Sequence, residues 1–160
     1  MKKSVLIADG EPRCYSQLRH KLIANNYEVF HAASIEDALK HVDVSTADLL
    51  LVNLDAPGDR ICGDLTQVTK LNPGVRIIGV TERSEGSETV VRDCLDGVAE
   101  KPFALGNLIA FVDELIRNPS PRTAFRYLPR RMPGLHAGPS HRPHRVLDYP
   151  AAYSGWGINE

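Results

Sequence analysis

The sequence predicts a doubly wound α/β domain with five parallel strands and five helices. Three observations carry this. Short apolar runs alternate with longer amphipathic ones over residues 1–118, as successive βαβ units require. The run Asp48–Leu54 is almost wholly apolar, as a strand covered on both faces should be. Polar residues gather directly after the apolar runs, at Asp9, Asn53, Thr81 and Lys101, where open parallel sheets place their ligand sites.

The elements follow in order. Val5-Leu6-Ile7-Ala8 reads as the first strand. Pro12 stands where the first helix begins, because its missing N–H costs nothing in the first turn. Leu18, Leu22 and Ile23 give that helix a stripe at helical spacing. Tyr27–Phe30 reads as a second strand. Ser34, with Asp37 three residues later, marks a capped start for the helix bearing Ile35, Ala38, Leu39 and Val42. After the third strand a weaker helix spans roughly 61–70, and Asn72-Pro73-Gly74 stops it. Val75–Val80 is the fourth strand. Residues 85–95 read as the fourth helix, with Val90, Val91 and Leu95 inward. Gly97-Val98-Ala99 is the fifth strand, and Leu105, Leu108, Ile109, Val112, Leu115 and Ile116 stripe the last helix.

Composition bounds the rest. The chain has 160 residues, 42% hydrophobic and 24% charged, enough for one domain with a sizeable core. The formal charge of −1 hides an asymmetry. Residues 1–118 hold 13 Lys and Arg against 18 Asp and Glu, whereas 119–160 hold 6 Arg against 2 acids. The acidic part is the expected domain and the basic part a tail. Seven of the eleven prolines lie in 119–160, with four glycines and His136, His141 and His144. No stretch there has the periodicity to build a core by itself. The tail is expected to be flexible or docked on the acidic domain.

Cys14, Cys62 and Cys94 are odd in number and scattered, which fits reduced thiols rather than a disulfide framework or zinc site. The N-terminal apolar run is too short for a signal peptide or a membrane span. A cytoplasmic location is expected.

The ends of the strands carry the chemistry: Asp9-Gly10-Glu11, then Asn53 and Asp55, then Thr81-Glu82, then Lys101-Pro102-Phe103. Together with the Asn53-to-Pro57 spacing, this set resembles the response-regulator receiver domain over roughly residues 3–118. The resemblance implies the CheY-like, flavodoxin-type (βα)5 fold with strand order 2-1-3-4-5. It also implies that position 53 should be the aspartate that accepts a phosphoryl group, and that position 10 should be a second acid for Mg²⁺. Here they are Asn53 and Gly10.

Two of three usual carboxylates are therefore missing. Asp9 and Lys101 alone sum to zero charge, so Lys101 is expected to bond Asp9 and the Asn53 amide oxygen. A hard dication needs oxygen ligands, preferably carboxylates. Mg²⁺ binding is expected to be weak or absent, with Asp9 and Glu11 the only weak candidates, and no other cofactor is implied. A neutral amide is a very poor nucleophile, and phosphoryl transfer needs a positioned oxygen and charge neutralisation. Asp55 is a poor replacement, because the family faces that residue's carbonyl to the metal. Glu82 follows the strand-four hydroxyl where receivers carry a small residue, so its carboxylate either crowds a phosphoryl group or points into water. Thr81 keeps the switch hydroxyl, which in the family moves to bond the phosphoryl group. Val98 stands where the family has a switch aromatic. Asn53 favours a scaffold role for Thr81, Lys101 and Pro102, with a cis bond possible before the proline.

The expected function is a phosphorylation-independent pseudo-receiver: a protein-interaction module in bacterial two-component-type signalling, and not an enzyme. Two alternatives stand beside it. One is a working receiver with an unusual acceptor. The other is a nucleic-acid-associated regulator acting through Arg122, Arg126, Arg130, Arg131, Arg142 and Arg145 with Phe125, Tyr127, Tyr149, Tyr153 and Trp156. No DNA-binding module fits in the 42 residues of the tail, which counts against the second. Protein partners, including a homodimer, are expected on the helix 4–strand 5–helix 5 face or on the tail, and neither nucleic acid nor membrane is.

Overall fold

A computed structural model describes residues 2–55, 61–82, 92–118, 126–130 and 147–148. The chain runs β1 (Ser4–Ala8), α1 (Pro12–Ala24), β2 (Glu28–Ala32), α2 (Ile35–His41), β3 (Leu49–Asn53), α3 (Ile61–Leu71), β4 (Arg76–Thr81), β5 (Gly97–Glu100), α4 (Leu105–Arg117), β6 (Arg126–Leu128) and β7 (Leu147–Asp148). Strands β1 to β5 pair in parallel in the order 2-1-3-4-5, and the sheet continues through β6 and β7.

Local chemistry explains the boundaries. Ser34 caps α2 by accepting the Asp37 amide at 3.0 Å, as the sequence predicts. Pro12 opens α1. Asn26, at φ 68°, takes the left-handed turn between α1 and β2, a conformation that asparagine tolerates. Tyr27 then lies just before β2 rather than in it. Its side chain is buried, and its hydroxyl donates to Asp113 of α4 at 2.8 Å. Burial and this carboxylate push the phenol well above its ordinary pKa.

Two cores sandwich the sheet. On one face Leu6, Leu50, Val52, Ile77 and Val98 pack with Ile35, Ala38, Leu65 and Val68 of α2 and α3. On the other, Val5, Ile7, Leu49, Leu51 and Ile78 pack with Leu18, Leu22, Leu108, Phe111, Val112 and Leu115 of α1 and α4. Strand residues alternate between these cores, the pattern of a sheet covered on both faces.

The fourth helix expected at 85–95 lies largely outside the described residues. Its C-terminal end is instead a 3₁₀ turn, Arg92–Cys94, before buried Leu95. Asp96 follows, accepting the Ile77 amide at 2.7 Å and the Arg76 guanidinium at 3.1 Å. This buried carboxylate fixes the entry of β5 beside the start of β4.

The tail departs from a strictly five-stranded reading. Strand β6 lies parallel to β5, with Gly97 opposite Arg126, Val98 opposite Tyr127 and Ala99 opposite Leu128. Strand β7 pairs antiparallel with β6. Arg126, Tyr127 and Leu128 are all buried. The segment needs no core of its own because it joins an existing sheet edge. The rest of the tail, apart from residues 129–130, lies outside the described residues.

Candidate functional site

Strands β1, β3 and β4 deliver their carboxyl ends to one shallow region, with the residues after β5 closing one side. A cavity of about 280 Å³ opens there, lined by Asp9, Asn53 and Lys101 at its polar end and by Ile7, Leu18, Leu51, Val80 and Phe103 below. The Lys101–Pro102 peptide is cis.

Asp9 follows β1. Its amide donates to the Ala32 carbonyl at 3.0 Å, which ties it to the end of β2. Its Oδ1 accepts the Glu11 amide at 2.9 Å and the Asn53 side-chain amide at 3.3 Å. Gly10 is exposed, and a Cβ there would meet the Ala33 carbonyl oxygen at 3.4 Å. Glu11 is the exposed residue preceding α1, and its side chain makes no cap.

Asn53, half-buried at the end of β3, turns both ends of its amide inward on the protein. Its Nδ2 faces Asp9, and its Oδ1 accepts the Asp55 amide at 2.8 Å. Asp55 then reaches across to β4. Its Oδ1 accepts the Thr81 hydroxyl at 2.7 Å, and its Oδ2 accepts the Glu82 amide at 2.6 Å. Both are short, charge-assisted bonds. Thr81 is fully buried, whereas Glu82 is exposed. The Glu82 carbonyl in turn accepts a hydrogen bond from the Arg130 guanidinium.

The expected Lys101 contacts are not made. Lys101 bonds through its backbone amide to the Thr81 carbonyl at 2.8 Å. Among the described residues its ammonium has no ion pair or hydrogen bond. In its place Asn53 supplies Asp9 with an N–H donor, and the Asn53 oxygen accepts the Asp55 amide.

The structure brings together Asp9, Asn53, Asp55, Thr81 and Glu82 in one hydrogen-bonded series. Lys101 lines the same cavity. Val98 stands apart, fully buried in β5 beneath the α2–α3 core. The neighbouring strand sets Tyr127 beside it.

Sequence reasoning missed three participants. His31 Nε2 meets the Asp9 carbonyl at 2.7 Å, and Tyr15 stacks on the His31 ring at 3.7 Å. Arg130 reaches the site from beyond β6. A stacked aromatic pair across α1 and β2 has no signature at the spacing of 15 and 31.

Among the described residues no group of three or more His, Cys, Asp or Glu is placed to hold a metal ion. Asp9 Oδ1 and both Asp55 oxygens accept N–H or O–H donors. Neither Cys62 nor Cys94 is in a disulfide. No described helix is long and apolar enough to cross a membrane.

Comparison with known proteins agrees with this architecture. No protein-family model matches the chain. The alkaline phosphatase synthesis transcriptional regulatory protein PhoP of Bacillus subtilis (strain 168) is 28% identical over 122 residues, covering 73% of this chain. This chain spans half (50%) of that relative's length. A CheY-like response regulator receiver domain protein from Methanospirillum hungatei JF-1 superposes with TM-score 0.66 at 23% identity, covering 73% of this chain and 95% of its own. The response regulator TrrA from Thermotoga maritima, solved in complex with Mg(2+)-BeF, gives TM-score 0.58 at 26% identity over 71% and 98%. A putative response regulator from Chloroflexus aurantiacus J-10-fl gives 0.65 at 23% over 74% and 100%. The described domain has the CheY-like receiver fold of response regulators.

Proposed function

We propose that this chain is a phosphorylation-independent receiver: a cytoplasmic, non-enzymatic protein-interaction module in two-component-type signalling. The carrying observation is the Asp55 carboxylate. Thr81, the donor that the family resemblance assigns to a phosphoryl group, already gives its hydrogen to Asp55 at 2.7 Å. The amide of Glu82 goes to the same carboxylate at 2.6 Å. A fixed internal anion thus occupies the donors that an added anion would need.

The acceptor position supports the same reading. The lone pair of the Asn53 amide nitrogen is delocalised, and its oxygen is engaged by Asp55, so neither atom is a competent nucleophile. Mg²⁺ binding is proposed to be weak or absent, and no other cofactor is invoked. Protein partners are proposed to use the face around β5 and α4, or the C-terminal segment. A nucleic-acid role is weakened by the tail's own bonds, since Arg126 pairs with Glu114 at 3.1 Å and Arg130 bonds the Glu82 carbonyl.

Incubating the chain with acetyl phosphate and Mg²⁺, followed by intact mass, tests this. The mass should not change, and beryllofluoride should leave the Thr81 and Lys101 NMR signals in place. A stable acyl phosphate on any residue sinks the proposal.

A further inference from the structure

The edge of β5 is shaped to receive a strand. A Cβ at Gly97 would stand 2.7 Å from the Arg126 carbonyl oxygen, so only glycine lets the two backbones come this close. The Arg126 amide donates to the Asp96 carbonyl at 3.0 Å. Acids bracket the strand. Glu114 of α4 holds the buried Arg126 guanidinium at 3.1 Å. Glu100, at the end of β5, lies 4.0 Å from Nε of Arg130. Between the two arginines, Tyr127 and Leu128 fill opposite faces of the sheet.

The grip is nevertheless incomplete. Glu100 is 4% exposed, and its Oε1 has no hydrogen-bond partner among the described residues. Nε of Arg130 is likewise buried without one. Buried polar atoms left unpaired oppose the docking that buries them. The strand itself has only three residues. The chain from Asn118 to Phe125, which joins α4 to β6, includes Pro119 and Pro121. Proline favours extended backbone in itself and in the residue before it, and eight residues reach up to about 28 Å.

We infer that two copies of this chain exchange these strands, so that each β5 edge receives the 126–130 segment of the other copy. The edge selects an extended segment with guanidinium groups at positions i and i+4 and Tyr127, Leu128 and Pro129 between them. A second copy supplies that segment with every contact unchanged. Intramolecular and exchanged docking therefore differ only by the effective concentration of the tethered strand, of order millimolar for a short tether. The dimer gains population as protein concentration approaches that value.

A charge-swap pair of full-length chains tests this. Glu114→Arg alters only the edge, and Arg126→Glu alters only the strand. Each variant alone loses the ion pair and should stay monomeric by light scattering. Mixed in equal amounts, they should form a 1:1 heterodimer, because each strand then finds its opposite charge on the other chain. The double variant E114R/R126E should behave like the wild type. Wild-type chains carrying ¹⁵N and ¹⁴N should give mixed dimers in native mass spectra, at a fraction that rises with concentration into the millimolar range. This second measurement stands if a variant fails to fold. A mixture that remains monomeric while both variants keep their wild-type circular dichroism overturns the inference. So does a wild type that is monomeric throughout, or a dimer that forms equally well in Arg126→Glu alone.

Discussion

The hydroxyl of Thr81 donates to Oδ1 of Asp55 across 2.7 Å, from the end of β4 to the residue two beyond β3. This bond crosses the parallel pair at the point where the sheet opens to its cavity. The second oxygen of the same carboxylate takes the Glu82 amide. Asp55 thus fixes both the side chain of the last β4 residue and the backbone that leaves it.

Asp55→Ala should therefore loosen the end of β4. Hydrogen bonds to a charged group contribute about 1.5–3 kcal/mol each, and the site is only half-buried, so a total loss of about 2 kcal/mol is expected in urea unfolding. The Thr81 methyl resonance should move. Asp55→Asn should cost less, because its amide oxygen still accepts from Thr81. A Thr81 environment unchanged in Asp55→Ala would remove the basis for the carboxylate's proposed role.

Asn53→Asp alone should label poorly with acetyl phosphate and Mg²⁺. It restores a nucleophile yet leaves the metal position at Gly10 without an acid. A side chain at Gly10 meets the Ala33 carbonyl oxygen only at 3.4 Å, so Gly10→Asp is sterically tolerable. The double variant should label faster than Asn53→Asp, as read by intact mass. Equal labelling of the two would mean that position 10 does not limit the chemistry.

Tyr27 gives the fold a stability that fails at high pH. Burial and its bond to Asp113 raise its pKa in the folded state, whereas an unfolded tyrosine ionises near about pH 10. The unfolded chain then releases its proton first, so stability is intact below about pH 10 and falls as pH rises further. Tyr27→Phe should cost about 1 kcal/mol at neutral pH and flatten the alkaline decline. Urea midpoints between neutrality and pH 11 would show both effects.

Gly97→Ala should damage the sheet from within. The added methyl would lie 2.6 Å from Cζ of Phe111 and 2.7 Å from the Arg126 carbonyl oxygen. Overpacking of this kind costs about 1–3 kcal/mol, and the backbone neighbour cannot rotate away. Amide exchange at Arg126 should accelerate more than exchange at β1 or β3. Uniform acceleration across the sheet would argue against a local effect on β6.

Much of this was legible in the sequence, and the parts that were not share a cause. Apolar alternation gave the strands, Pro12 and Ser34 gave helix starts, and the polar strand ends gave the cavity rim. These signals are local. The role of Asp55 depends on how the chain turns after β3, which no spacing encodes. The pairing expected of Lys101 failed because charge balance says which groups can pair, not where the chain places them. The β6 strand was invisible because Arg126-Tyr127-Leu128 has no period of its own. Its burial comes from pairing with Gly97, Val98 and Ala99 and from Glu114, all contributed by other elements.

The closed edge of β5 also bears on how this protein is handled at the bench. A fragment ending at Asn118 keeps every described helix and all five central strands, and the sequence alone would recommend that boundary. It would nonetheless bare the β5 backbone and strip Glu100 of its neighbouring guanidinium. Exposed strand edges seed aggregation. A poorly soluble 1–118 fragment would then report a missing strand rather than a misfolded domain, and adding back a peptide of residues 126–130 should recover it.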